Sequence, residues 1–526
     1  MIYIRIPKDR FLASLPKQWY VSPTGSPTAS GKINDPLDID TIIGSTSPIK
    51  PGDIVNLRGG TYSSLVASPW LVGSGAGTAG IPGKGTYDFR VKGRKGSNIT
   101  FRSYPGEWAV INAGIHIVSG GNGEYITLRD MELKSTPTTR VFTDAQMDDF
   151  PLIYVTGPGC KFINCYIHDY QDLHWYPYPA CDGEDFHGCL IGAMGYWDVE
   201  LNRGRGYCIY AHNLGGGKFK LHKNAWMGGF NGNNLGAQSG AASNIRDFDI
   251  QHNIMLHGSL LFGSSSGDAE QNNRFAYNYV YLSEGYVTDM PQYWSRHGYE
   301  NTQGDGEGME FDHNYMMVSC GDANNSNVIQ YVRLRESHYH HNTIINNRNG
   351  VLASRSATYY ESIGVIKSVI IDYNDYYNNY ISASLFWYDP MAAYMNFADW
   401  QANSGFDANS SFTAALPPLN KIVVINNDYS RGRGFIAIYN HESAASEVVD
   451  LSALNIPDGA NCRLRYCANW DEYVDFTFDA SAPTLTIDLS PGVWNQRIPT
   501  AYDCSLGWFS DAFPTFGAWQ VEVLSL

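Results

Sequence analysis

Apolar and polar residues alternate over short runs along much of this chain, the period of half-buried strands. Three such runs begin at equal intervals, GYCIYAHN from Gly206, GNNLGAQSG from Gly232 and GSLLFGSSSG from Gly258. Three residues after each glycine stands an aliphatic (Ile209, Leu235, Leu261), and two further on a small residue (Ala211, Ala237, Gly263). The opposite parity carries Tyr210, Gly236 and Phe262, followed by His212, Gln238 and Ser264. A fixed period with strand alternation predicts a solenoid, in which equivalent residues of successive coils stack about 4.8 Å apart. On this reading Ile209, Leu235 and Leu261 stack inside. His212, Gln238 and Ser264 form an outward polar column on one flat sheet, where function is to be sought.

A second register agrees with the first. Six asparagines, Asn224, Asn253, Asn278, Asn314, Asn342 and Asn374, each follow an apolar or aromatic residue three positions earlier: Leu221, Ile250, Phe275, Phe311, Tyr339 and Ile371. Asparagine tolerates left-handed backbone and bonds its neighbours. One asparagine at the same corner of each coil predicts an inward ladder whose amides satisfy one another.

Taken in order, residues 1–49 read as an N-terminal arm and cap, with a short amphipathic helix in DPLDIDTIIG to close the open end of the solenoid. The segments PGDIVNLRGGTY, NITFRSYPGEWAVINAG and YITLRDMEL follow, separated by a Gly-rich stretch at 71–98 read as a loop. These segments resemble the opening coils of β-helix polysaccharide lyases, and together with the two registers the chain is similar to the right-handed parallel β-helix proteins of the pectate lyase-like superfold. The resemblance covers roughly residues 50–390 and implies an all-β fold, a right-handed parallel β-helix solenoid followed by other structure. Beyond a connector at 391–418, which includes a short helix in MAAYMNFADWQ, residues 419–526 show short alternating strands punctuated by turns, the pattern of a C-terminal β-sandwich. A packing role against the solenoid is expected of it.

Charge and cysteine content narrow the partners. Lys and Arg number 36 against 52 Asp and Glu, a formal charge of −16, which argues against a nucleic-acid partner. No run reaches the 18 apolar residues of a membrane span. The N-terminus MIYIRIPKDRFLASLPKQ lacks the apolar core of a signal peptide. An extracellular or virion-associated protein, such as a phage depolymerase, is the expectation, and without heptad repeats it is read as a monomer. The nine cysteines form no CxxC pair and are read as small buried thiols. The alternative is loop closure by Cys181–Cys189 or Cys462–Cys467.

Candidate chemistry falls in long excursions from the coil, where function concentrates in repeat proteins. The excursion at 168–188 carries Trp175, Asp182, Glu184, Asp185 and His187. That at 288–308 carries Trp294, Arg296, His297, Asp305 and Glu307. Glycoside hydrolysis requires two carboxyl groups about 5 Å apart for retention or about 6.5–9.5 Å for inversion. The expectation is that one carboxyl from Asp182, Glu184 or Asp185 faces Asp305 or Glu307 across a groove, with His187, Tyr210 and His212 as further catalytic candidates. Trp175, Arg205, Gln238, Trp294, Arg296 and His297 are the candidate substrate-binding residues. β-Elimination on a uronic-acid polymer is the second reading, with His212, Tyr210 and Arg205 placed to act. A non-catalytic carbohydrate-binding spike or adhesin is the third. Hydrolysis is favoured on the acid content of the loops. No cofactor is required, calcium is compatible with the acidic clusters, and metal ligands are not assigned. The run SHYHHN places His338 and His340 outward and His341 in a column with His252 and His313, which explains it by repeat position rather than as a metal site.

Overall fold

The computed structural model describes residues 16–64, 85–119, 123–137, 139–142, 152–171, 173–175, 185–200, 203–213, 217–230, 233–239, 245–264, 270–282, 295–297, 306–319, 328–332, 334–347, 352–356, 369–379, 385–388, 391, 393–501 and 512–525. Three 12-stranded sheets run the length of the solenoid. The chain visits them in turn: in one coil, Phe219–His222 lies in the first sheet and Ala225–Gly229 in the second, and Asn233–Ser239 lies in the third before Phe248–Gln251 returns to the first. Almost all neighbours pair in parallel, which makes this a parallel β-helix, with crossovers of the right-handed kind that parallel strands adopt. The interior is a continuous column of buried aliphatic and aromatic side chains, among them Ile209, Ala211, Leu221, Leu235, Ile250 and Phe275.

The solenoid is longer at both ends than its sequence pattern indicates. Strand Gln18–Val21, within the expected arm and cap, pairs with Ile54–Leu57, and Ser411–Thr413, within the expected connector, pairs with Asp375–Asn378. The helix expected in DPLDIDTIIG is Ile39–Ile43, capped by the Asp38 carboxylate on the Thr41 N–H, with Ile39, Ile42 and Ile43 buried. The Gly-rich stretch read as a loop contains strand Thr86–Asp88 of the third sheet.

The turn between first and second sheets holds the ladder. Each coil from Asp130 to Asn374 turns this corner in two residues, of which the first is left-handed and the second points inward. All six expected asparagines occupy the inward position and are buried. The Nδ2 of Asn224 donates to Asn253 Oδ1 at 3.0 Å, and the same link repeats to Asn278 (2.9 Å), Asn314 (3.1 Å), Asn342 (3.0 Å) and Asn374 (3.0 Å). The other amide hydrogen goes to a carbonyl of the preceding coil, as from Asn314 to Phe275 at 2.9 Å, and Oδ1 also takes a backbone N–H, as Asn342 does from Asn314 at 3.0 Å. The left-handed residue is the one before the asparagine, so asparagine is selected here for its hydrogen bonds rather than its backbone freedom. Toward the N-terminus the position passes to Cys165 and Cys189, whose thiols donate to Leu128 O and Phe162 O. Toward the C-terminus Asn374 ends on Asp407, which also accepts from Trp400 Nε1 at 2.8 Å and Tyr376 OH at 3.1 Å.

The glycine-delimited runs share one interior, but their register slips once. Ile209 pairs with Leu235 as expected. A shift between Asn233 and Leu235 then sets Leu235 beside Leu260, not Leu261, and Gln238 beside Gly263, not Ser264.

The described residues of 419–525 form the expected sandwich, a five-stranded antiparallel sheet and a two-stranded one, Ser446–Asp450 with Thr484–Asp488. It packs on the outer face of the second sheet, where Leu190, Ala225, Ile254 and Tyr281 meet Phe435, Ala437, Tyr439 and Phe516. An ionic lock fixes the two together. Fully buried Asp169 takes Arg140 and, at 2.7 Å, Arg497, while Glu132 pairs with His168 at 3.2 Å and Lys134 at 2.9 Å. These partners hold the Asp169 carboxyl well below its usual range and bring that of Glu132 to about 2 against the opposing effect of burial. Cys160, Cys165, Cys189, Cys208, Cys462 and Cys467 are free and buried, so Cys462 and Cys467 close no loop.

Removing one rung should cost more than its own hydrogen bonds, because its neighbours are left unsatisfied in a dry interior. Asn314→Ala is expected to destabilise the protein by roughly 3 kcal/mol, read by equilibrium chemical denaturation. The sandwich interface sets a pH dependence. Burial lowers His257, bonded to Gln496 at 3.0 Å, to about 3, and His441, bonded to Tyr315 at 2.7 Å, to about 4. Unfolded imidazoles protonate near pH 6.5, so their contribution is complete above that value and is lost as pH falls toward 3 to 4. Denaturation midpoints measured across this window should fall with pH, and His257→Gln should flatten that slope.

Candidate functional site

One register row of the third sheet reads Asp88, His116, Tyr154, His174, Tyr210, Gly236, Leu261 and Arg296 in successive strands. Ile115, Ile117, Ile153, Val155, Ile209 and Ala211 on the other parity are fully buried, which turns His116, Tyr154 and Tyr210 between them away from the core, although His116 is itself covered. His116 Nδ1 lies 3.2 Å from Asp88 Oδ1, and its ring meets Tyr154 edge-on at 6.1 Å. Burial raises the Tyr154 phenol, favouring its protonated form.

Further along, Gly236 creates a seat. A Cβ there would lie 2.6 Å from the Tyr207 ring and 3.0 Å from Tyr210, so only glycine lets Tyr207 settle over the strand. Tyr207 and Tyr210 are half-buried with ring centroids 5.1 Å apart, and Tyr210 stands 5.1 Å from His212. The chain beyond His212 is fixed by Asn213, whose amide donates to Gly217 O and Arg246 O, both at 2.8 Å.

Arg205 belongs to a hairpin, Tyr196–Asp198 with Arg203–Arg205, inserted before this strand and paired with Val141–Phe142. At its base Gly195 and Gly206 cross so closely that a Cβ on Gly206 would lie 2.5 Å from Gly195 Cα. Arg205 Nε pairs at 3.1 Å with fully buried Asp198, whose other oxygen accepts the Glu200 N–H. The buried carboxylate fixes the direction in which Arg205 leaves the hairpin.

The expected site residues are therefore divided. Tyr210 lies on the third-sheet strand Ile209–Ala211 with His212 just after it, Arg205 lies in the hairpin before that strand, and Arg296 takes the register position of Tyr210 three strands on. Gln238 is on that strand opposite Gly263, and His297 lies opposite Phe262 and Tyr331. Trp175 takes the register position of Val155 and Ala211, both buried in the core. Asp185 and His187 are in the first sheet instead. His187 is buried beneath the sandwich turn, with Tyr429 at 4.7 Å and the Asp428 N–H donating to its Nε2 at 3.2 Å. Glu307 lies in a small sheet between Gln271 and Arg335. The coils of Asp185 and Glu307 are separated by four strand steps in the first sheet, about 19 Å along the axis. Asp182, Glu184, Trp294 and Asp305 lie outside the described residues. The sequence reading missed Asp88, His116, Tyr154 and Tyr207, although GIHI and IYV carry the same alternation.

Among the described residues no group of three or more His, Cys, Asp and Glu side chains is placed to hold a metal ion, and no helix is long and apolar enough to cross a membrane. No family model and no curated protein matches the sequence. Among solved structures, the chain is similar to the GH136 lacto-N-biosidase from Eubacterium ramulus, 11% identical over 75% of this chain and 67% of that one, with a TM-score of 0.42. It is also similar to XylC in complex with xylose, 10% identical over 89% and 95% of the two chains (TM-score 0.39), and to pectate lyase Pel9A, 12% identical over 77% and 79% (TM-score 0.33). The parallel β-helix assignment rests on the sheets described above.

Gly236→Ala tests the tyrosine seat directly. The added methyl should displace Tyr207 and cost roughly 1–3 kcal/mol, measured by thermal or chemical denaturation, and Tyr207→Ala in the same chain should recover most of that loss.

Proposed function

We propose that the protein is a polysaccharide-active enzyme that cleaves a uronic-acid polymer by β-elimination on the outer face of the third sheet. The observation that carries this reading is the seat at Gly236, which sets half-buried Tyr207 beside half-buried Tyr210 and the largely covered His212 on an extended sheet. Half-buried tyrosine rings suit the apolar faces of sugar rings. A long flat sheet suits a linear polymer.

β-Elimination needs a base for the proton α to the uronate carboxylate, a cation to disperse the charge that develops, and an acid for the departing glycosidic oxygen. Tyr210 and His212 are the proton-transfer groups in this reading. The base takes the α-proton, the bond to the β-oxygen breaks as the double bond forms, and the acid returns a proton to that oxygen. Arg205, directed by Asp198, supplies positive charge. The Asp88–His116 pair and Tyr154 extend the polar column to further sugar units. The alternative is hydrolysis by a carboxyl from Asp182, Glu184 or Asp185 facing Asp305 or Glu307, at the separation of about 5–9.5 Å that such a pair requires. Work on such a polymer belongs outside the producing cell.

The test is a panel of uronic and neutral polysaccharides assayed both for reducing ends and for the ultraviolet absorbance of an unsaturated uronide. An absorbing product is expected, and Tyr210→Phe should lower turnover by about 100-fold with unchanged unfolding. Reducing ends without absorbance would make the enzyme a hydrolase. Binding without any cleavage would make it an adhesin.

A further inference from the structure

On the outside of the ladder corner the left-handed residues form a column of their own. Where the sandwich turn 426–433 reaches this corner they are Asn164, Gly188 and Lys223, held by Asn427, Ser430, Asn426 and Asp428. Beyond the turn the column becomes His252, Tyr277, His313, His341 and Tyr373, all at φ of 54–56°. Left-handed backbone favours glycine and asparagine, so backbone preference does not account for five consecutive rings. The rings stack along the axis with centroids 5.1, 4.7, 5.0 and 5.2 Å apart and planes within 17° of parallel. Their faces are spent on one another, and their edges meet solvent, with Tyr373 53% exposed.

The neighbouring carboxylates fix what those edges offer. Asp312 Oδ2 accepts the Nδ1–H of His313 at 2.9 Å, which leaves Nε2 of the neutral ring as an acceptor. Glu310 Oε1 accepts from His340 Nε2 at 2.6 Å, so His340 Nδ1 is an acceptor and takes the Nδ1–H of His341 at 2.8 Å. His341 Nε2 is thereby an acceptor as well. Two imidazole acceptors thus stand in adjacent coils, flanked by the tyrosines of the coils before and after.

We propose that this column is a second binding site, for a linear, uncharged, hydroxyl-rich polysaccharide lying along the solenoid axis and separate from the third-sheet face. Each coil advances about 4.8 Å and presents one ring edge, so a chain with regularly repeated hydroxyls donates to successive acceptors. Glu310 and Asp312 lie in the coil of His313 and Asp372 in that of Tyr373, and although Arg274 faces Asp312 at 3.5 Å, these carboxylates beside the rings disfavour a polyanion.

Affinity electrophoresis of the full chain through gels containing galactomannan, arabinoxylan or mixed-linkage β-glucan, with alginate as the anionic control, tests the site. Retardation is expected in at least one neutral gel, weakened roughly tenfold by His341→Ala and by Tyr277→Ala and kept by Tyr210→Phe, which alters only the third-sheet face. Tyr373→Ala, at the exposed end of the column, should weaken retardation in the same gel and serves if the other variants do not fold. Retardation in none of the neutral gels, in alginate alone, or undiminished by the column variants would overturn the proposal. Retardation in alginate, itself a uronic-acid polymer, reports on the third-sheet face, whereas the neutral gels read the column alone.

Discussion

A buried primary amide is costly unless both its hydrogens and its oxygen are engaged, and the architecture depends on how this chain meets that condition. Each ladder asparagine satisfies the one before it and is satisfied by the one after. The bonds have the rise of one coil, so they form only when successive coils are in register at that corner. Hydrophobic burial drives the chain to close upon itself, but aliphatic side chains tolerate sliding. The amides supply the register that apolar packing leaves loose. At Asp407 the series ends on a carboxyl that burial raises, despite the donors gathered around it.

Among the described residues the other two corners carry separate inter-coil bonds, such as those of Asn234 to Leu256 O and of Asn273 to Ile245 O and the Phe248 N–H, rather than an unbroken amide ladder. The hairpin with Arg205 interrupts the passage from second to third sheet. The second sheet is occupied by the sandwich, whose ionic lock at Asp169 and buried His257 and His441 join the two parts into one body. The third-sheet face takes its shape from glycines at close crossings: Gly236 under Tyr207, and Gly195 against Gly206.

What was legible in the sequence follows from the range of the forces involved. The ladder was visible because its requirement is chemical and recurs at one position per coil. The placement of Tyr210 on the third sheet, with its ring turned away from the core, was legible because strand parity is local. The pairing of Leu235 with Leu260 was not, because a one-residue shift leaves no mark in composition. Asp88 was lost when a Gly-rich stretch concealed its strand. Tyr207 depends on a glycine in the next coil, and Arg497 reaches Asp169 across 328 positions, a partnership that no local pattern announces. Asp185 and Glu307 looked alike as loop carboxylates, and only the order of the strands reveals the distance between them.

The two-residue corner also divides the chain by how it can change. A residue inserted between His313 and Asn314, or between any equivalent pair, would rotate the asparagine out of line and break the bonds on both sides of it at once. The same insertion at the tip of the hairpin, between Asp198 and Arg203, would fall beyond its paired strands. New recognition segments can therefore accumulate at that tip while the ladder corner stays unaltered, and a designer who wishes to graft a segment onto this solenoid has the one available and the other closed.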